Sequence, residues 1–204
     1  MGDDLGLRER KKRRTRLALA EAALRLFEER GYERVTVAEI AAAADVAPRT
    51  FFGYFASKED VVFIGTAERV ETLLHTIAGR RPEETAADVL ERAIRRVVGE
   101  LDGSLGLAPA RLRLIMSVPS LQARALYLTA VAQRRLAEAL QRSAPGELDF
   151  SDASVMVVLM TSAPLAALVT GLVREESARH IRAAVERAMD MAVHGLGSGG
   201  SGVG

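Results

Sequence analysis

The chain has 204 residues, with 28 Lys or Arg against 27 Asp or Glu for a formal net charge of +1, and it contains neither cysteine nor tryptophan. That length allows one or two domains with a real core, and the lack of cysteine excludes a disulfide framework and cysteine-ligated zinc. An alanine-rich, helix-favouring composition with no long period-two alternation predicts an all-α fold of about nine helices.

The N-terminal segment MGDDLGLRERKKRR lacks the apolar stretch of a secretory signal, so a cytoplasmic protein is expected. Residues 1–8 are expected to be disordered. Residues 8–16, RERKKRRTR, then carry seven basic residues and one acid. An isolated run of this kind is a solvated arm. Ahead of a DNA-binding motif it becomes an electrostatic grip on phosphates, through Arg13, Arg14 and Arg16. A first helix is predicted over residues 10–30, with Leu17, Ala20, Leu24 and Phe27 on one face and Gly31 as its stop.

Residues 36–58, TVAEIAAAADVAPRTFFGYFASK, read as two short helices crossing on a tight turn, followed by a fresh helix start. Thr36 and Glu39 have capping-box spacing, and Val35 and Ile40 occupy the hydrophobic staple positions around them. Ala41, Ala43 and Ala44 let a second helix cross closely. Asp45-Val46-Ala47 makes the turn, Asp being among the few residues that tolerate left-handed backbone. Pro48 suits the first position of the next helix. This is a helix-turn-helix, whose second helix enters the DNA major groove. Phe51 and Phe55 are expected to pack inward, leaving Arg49, Thr50, Gly53 and Tyr54 outward. Arg49 suits the acceptor pair on guanine, or else a phosphate.

Together with Thr15-Arg16, Ala22-Ala23, Leu26-Phe27 and Gly31-Tyr32 upstream and Ser57-Lys58-Glu59-Asp60 downstream, this stretch resembles the tetracycline-repressor (TetR) family. The resemblance implies an all-helical homodimer that binds a double-stranded DNA operator and leaves it when a small molecule fills the C-terminal domain. It implies backbone contacts from Thr36, Thr50, Tyr54 and Lys58, with Pro48 opening the recognition helix. Two departures stand out. Phe52 lies where the family usually has a tyrosine able to bond a phosphate. Ala47 replaces the usual capping serine, at a cost of roughly 1 kcal/mol.

Ser57 is the expected cap of a fourth helix running unbroken to about residue 78, the one rod joining the two functional regions. A fifth helix is expected to open at Pro82-Glu83-Glu84 and to end before a loop at residues 103–108. A sixth is expected over residues 109–117 and a seventh over 120–142. An eighth, capped by Ser151, should run to about 175 with a kink at Pro164. A ninth should end near His194, and the Gly/Ser tail should be disordered. The domain plan is thus 1–8, 9–56 for DNA binding, 57–194 for effector binding and dimerisation, and 195–204.

Residues 153–173 contain no charge and pass the length test for a membrane span, but Ser, Thr, Pro, Gly and Ala thin their hydrophobicity. A core or dimer helix is the preferred reading, with no membrane partner. The expected dimer face is Val155, Ala163, Ala166, Ala167 and Thr170, then Ile181, Ala184, Val185 and Ala188. Residues 111–124, RLRLIMSVPSLQAR, look like the TetR subgroup of the mycofactocin regulator, which implies acyl-CoA or another lipophilic anion as effector. Candidate lining residues are His75, Met116, Arg124, Tyr127, Met156, Leu159 and Met160. The three histidines show no metal-ligand spacing, and no nucleophile elbow, phosphate loop or carboxylate pair appears. No enzyme, cofactor or metal is expected, and the rival reading is a sequence-independent architectural DNA binder.

Overall fold

A computed structural model describes residues 2–99 and 108–195. Among the described residues there are ten α-helices, one 3-10 turn and no strand. The helices are α1 (Gly2–Arg30), α2 (Val37–Ala43), α3 (Pro48–Phe52), α4 (Lys58–Val62), α5 (Thr66–Ala78), α6 (Ala86–Gly99), α7 (Ala108–Ser117), α8 (Pro119–Ser143), α9 (Phe150–Val173) and α10 (Ala178–His194); the 3-10 turn is Tyr32–Arg34. The expected loop at 103–108 falls outside the described residues up to its last position. The expected tail does so from residue 196 onward.

The extra helix arises because the expected fourth helix is two. Ile64 N–H reaches back three residues to the Val61 carbonyl at 3.3 Å, tightening the end of α4. Gly65 then takes φ +81°, a left-handed conformation that no right-handed helix can continue through. The single rod over residues 57–78 is therefore corrected to two helices with a glycine joint. The first helix starts at Gly2 rather than near Arg10.

Two helix starts also shift, each for a local reason. α6 opens after Thr85 rather than at Pro82: Asp88 N–H donates to Thr85 Oγ1 at 3.1 Å and Thr85 N–H to Asp88 Oδ2 at 2.9 Å, a full capping box. α9 is capped by Asp149, which accepts from Asp152 N–H at 2.8 Å, so Ser151 lies inside the first turn. Pro164 sits within α9 without interrupting it.

The chain divides into two compact units. The first is Met1–Gly65 with Arg113–Gln122, and the second is Thr66–Leu112 with Ala123–Gly204. The core of the first unit includes Leu19, Ala23, Phe27, Ile40, Phe51, Val61 and Leu121, all buried. Arg113 ties α7 to α1 through Glu28 at 2.9 Å. The second unit buries Ile77, Leu90, Leu136, Leu140, Val157 and Met160 in one cluster. There α9 and α10 approach so closely that a Cβ on Gly171 would lie 2.6 Å from Ile181 Cγ1.

Candidate nucleic-acid interface

The helix-turn-helix forms for the reasons its sequence supplies. Thr36 N–H donates to Glu39 Oε2 at 2.9 Å while Glu39 N–H donates to Thr36 Oγ1 at 3.3 Å. The Thr36 backbone amide, then its hydroxyl, hold the Glu39 carboxyl below its ordinary pKa. Arg30 Nη1 reaches Glu39 Oε1 at 3.0 Å, fastening α1 to the cap. At the other end of α2, Asp45 takes φ 55°. Its N–H bonds the Ala42 carbonyl at 3.1 Å and Val46 N–H bonds Ala41 at 3.0 Å, satisfying carbonyls the helix would leave open.

Pro48 then opens α3, and Ala47 offers no side-chain cap. Phe51 and Phe55 are buried, their rings 5.5 Å apart. The Arg16 guanidinium lies 5.6 Å from the Phe55 centroid, so this basic residue braces α1 against the end of the recognition segment. With that face turned inward, Arg49 and Gly53 are exposed and Thr50 and Tyr54 half-buried. Arg13 and Arg14 are exposed on α1. These residues therefore stand together in one unit, with Thr36 exposed at the start of α2.

Lys58 is different. Its ammonium donates to the carbonyls of Tyr32 at 3.0 Å and Val35 at 3.4 Å and sits 4.3 Å from the Tyr32 ring centroid. The Tyr32 hydroxyl in turn donates to Glu59 Oε1 at 2.7 Å. Burial, then the Glu59 carboxylate, pushes the Tyr32 phenol well above its ordinary pKa. In this structure the Lys58 ammonium thus acts as an internal brace between the start of α4 and the 3-10 turn. Its cation satisfies carbonyls at the 3-10 turn that would otherwise lack partners. Tyr32 and Glu59 are residues that sequence reasoning missed, because the partners lie 27 positions apart.

The expected ligand-lining residues differ in burial. His75, Tyr127 and Leu159 are exposed, whereas Met160 is buried in the helical core and Met156 packs against it. Met116 is exposed and belongs to the first unit. Arg124 lies 5.8 Å from the Tyr127 ring. Arg69 is half-buried on α5, and its Nη2 donates to Thr66 Oγ1 at 3.1 Å. Burial lowers its pKa, and burial followed by the charge of Arg69 lowers that of Arg111, on α7 of the same unit.

The expected dimer set divides. Val155, Ala166 and Thr170 are exposed on α9, and Ala163, Ala167, Ala184 and Ala188 are half-buried. Ile181 and Val185 are corrected to intraprotomer core, since they are buried and Ile181 lies against Gly171. Val158, Leu159 and Leu165 extend the exposed apolar surface of α9. The helix is long and apolar enough to cross a membrane, yet its Ala153, Val157, Met160 and Gly171 positions are buried in protein.

Comparison with known proteins fits this geometry. The pattern of bacterial regulatory proteins, tetR family, matches residues 19–63. The HTH-type transcriptional regulator TcmR of Streptomyces glaucescens is 39% identical over 150 residues, 71% of this chain and 66% of that one, just under two thirds of the relative's length. The crystal structure of Thermus thermophilus FadR, a TetR-family repressor in complex with lauroyl-CoA, aligns with a TM-score of 0.54 at 21% identity, covering 89% of this chain and 94% of that one. FadR of Bacillus subtilis in complex with stearoyl-CoA aligns at 0.54 and 21%, covering 88% and 98%. At such identity these likenesses establish the fold.

Proposed function

We propose that this chain is a sequence-specific DNA-binding transcriptional regulator of the TetR family, the family whose pattern matches residues 19–63. It acts in the cytoplasm as a repressor that a small lipophilic ligand releases from a palindromic operator. The observation that carries this reading is α3. Buried Phe51 and Phe55 turn one face inward, and Arg49 is left exposed in the first turn, where side chains reach base edges. The exposed arginines of α1 supply the sequence-independent attraction to phosphates.

A homodimer places two copies of α3 on two half-sites. The outward face of α9, with Val155, Leu159, Ala166 and Thr170, and the small residues Ala184 and Ala188 of α10 are the proposed contact. Burying that face against a second copy removes a charge-free stripe from water.

The proposed effector is a fatty acyl-CoA or another lipophilic anion. The Thermus and Bacillus relatives were crystallised with lauroyl-CoA and stearoyl-CoA. In this chain the half-buried guanidiniums of Arg69 and Arg111 suit an anionic end. Such a ligand shifts the protein off DNA only by binding the released arrangement better.

Selection from a random duplex pool tests the reading. An inverted repeat should be enriched, with half-site centres about one helical turn apart, roughly 10 base pairs. Recovery of all sequences alike sinks it and favours the architectural DNA binder that relies on the basic arm. A panel of acyl-CoAs that leaves operator affinity unchanged removes the ligand class alone.

A further inference from the structure

We propose that Phe52 is a specificity-determining residue that reads thymine through its C5-methyl group. The inference rests on the DNA-binding role proposed above. Phe52 is 60% exposed in α3, an unusual position for a phenyl ring, and it meets Phe51 edge-on at 5.5 Å and 82°. Phe51 is wholly buried, so this contact sets the Phe52 ring on a fixed support. Gly53, which follows, is exposed as well.

A phenyl group has no hydroxyl to offer a phosphate. In the major groove the apolar feature that base pairs present is the thymine methyl, and phenylalanine is among the side chains that contact it. Arg49 lies three residues before Phe52, one turn back on a neighbouring line of the helix. The helix thus presents a cation for guanine acceptors and an apolar ring for a methyl side by side. A half-site with a thymine within a step or two of the Arg49-contacted guanine satisfies both.

The test uses the full-length protein and its selected operator. Each thymine of a half-site is replaced singly by uracil, which removes the methyl and keeps the hydrogen-bonding edge. Wild type should lose about fourfold in affinity at one or two positions, the worth of one apolar carbon moved out of water. Phe52→Ala should bind thymine and uracil operators alike, and Phe52→Leu should keep part of the discrimination. Circular dichroism should show both variants folded, since the position is exposed. If wild type treats uracil and thymine alike at every position while its other base preferences hold, the Phe52 inference falls and the regulator reading stands. The inference equally falls if Phe52→Ala keeps the full discrimination. Absence of any base preference overturns both.

Discussion

Replacing Lys58 by alanine separates two physical roles. In the structure its ammonium donates to the Tyr32 and Val35 carbonyls at 3.0 and 3.4 Å and lies over the Tyr32 ring. Val35 is buried, so its carbonyl gains no full hydration when the lysine leaves. A charge-assisted bond of this kind contributes about 1.5–3 kcal/mol and a partly exposed cation–π contact about 0.5–1. The longer second bond adds little, and partial exposure scales the sum down. The expected loss is about 1.5–3 kcal/mol, or ~3–12 °C in Tm for a chain of this size. Lys58→Met keeps the apolar stem over the ring and should recover a minor part. Urea denaturation gives the stability, and operator affinity across a salt series gives the number of phosphates neutralised. The brace predicts lost stability with an unchanged salt slope. Unaltered stability with a salt slope smaller by about one would refute the brace and restore Lys58 as a phosphate contact.

Other perturbations probe separate parts of the molecule. Arg49→Ala should relax base preference at one or two operator positions by about 1–3 kcal/mol, read from a repeated binding selection; unchanged preferences would remove Arg49 from base readout. Val155→Arg, at a residue 56% exposed in the protomer, should leave the fold intact and convert dimer to monomer in sedimentation. A persistent dimer would place the interface elsewhere. Gly171→Ala gains about 1 kcal/mol of helix propensity but drives a Cβ to 2.6 Å from Ile181 Cγ1. Because β-branched Ile181 has stiff χ1, overpacking of about 1–3 kcal/mol should make the variant less stable on balance. Adding Ile181→Ala should relieve the strain in a double-mutant cycle, and additive effects would contradict that geometry. Finally, hydrogen bonds from Arg92 and then from the Arg81 amide hold Glu84 at about 2, against 4.5 for the free side chain. A depressed carboxyl stabilises the fold above its unfolded pKa and loses that contribution as pH falls from 4.5 towards 2. Arg92→Met should therefore flatten the acid end of the stability profile, and an unaltered profile would show that the pair contributes nothing.

What the sequence determined alone is the chemistry closed within one helical turn. The Thr36–Glu39 box, the left-handed Asp45, Pro48 at a helix start and the Ser57 cap each depend on neighbours no more than five positions away, so residue type and spacing suffice. The inward pair Phe51 and Phe55 was legible for the same reason. Gly65 was a signal present and unread, because its left-handed turn lies inside a stretch whose apolar pattern continues on both sides. Competing caps were undecidable locally: Ser151 and Asp149 are both good N-caps, and the bond formed by Asp149 to Asp152 chose between them. The inward turn of Lys58, the Tyr32–Glu59 bond and the exposure of His75 and Leu159 belong to the tertiary structure alone. Helical periodicity says which residues share a face, but Ile181 and Val185 sit on one that the protomer itself covers. Which of two apolar faces meets its own chain and which meets water depends on elements distant in sequence, and packing decides it.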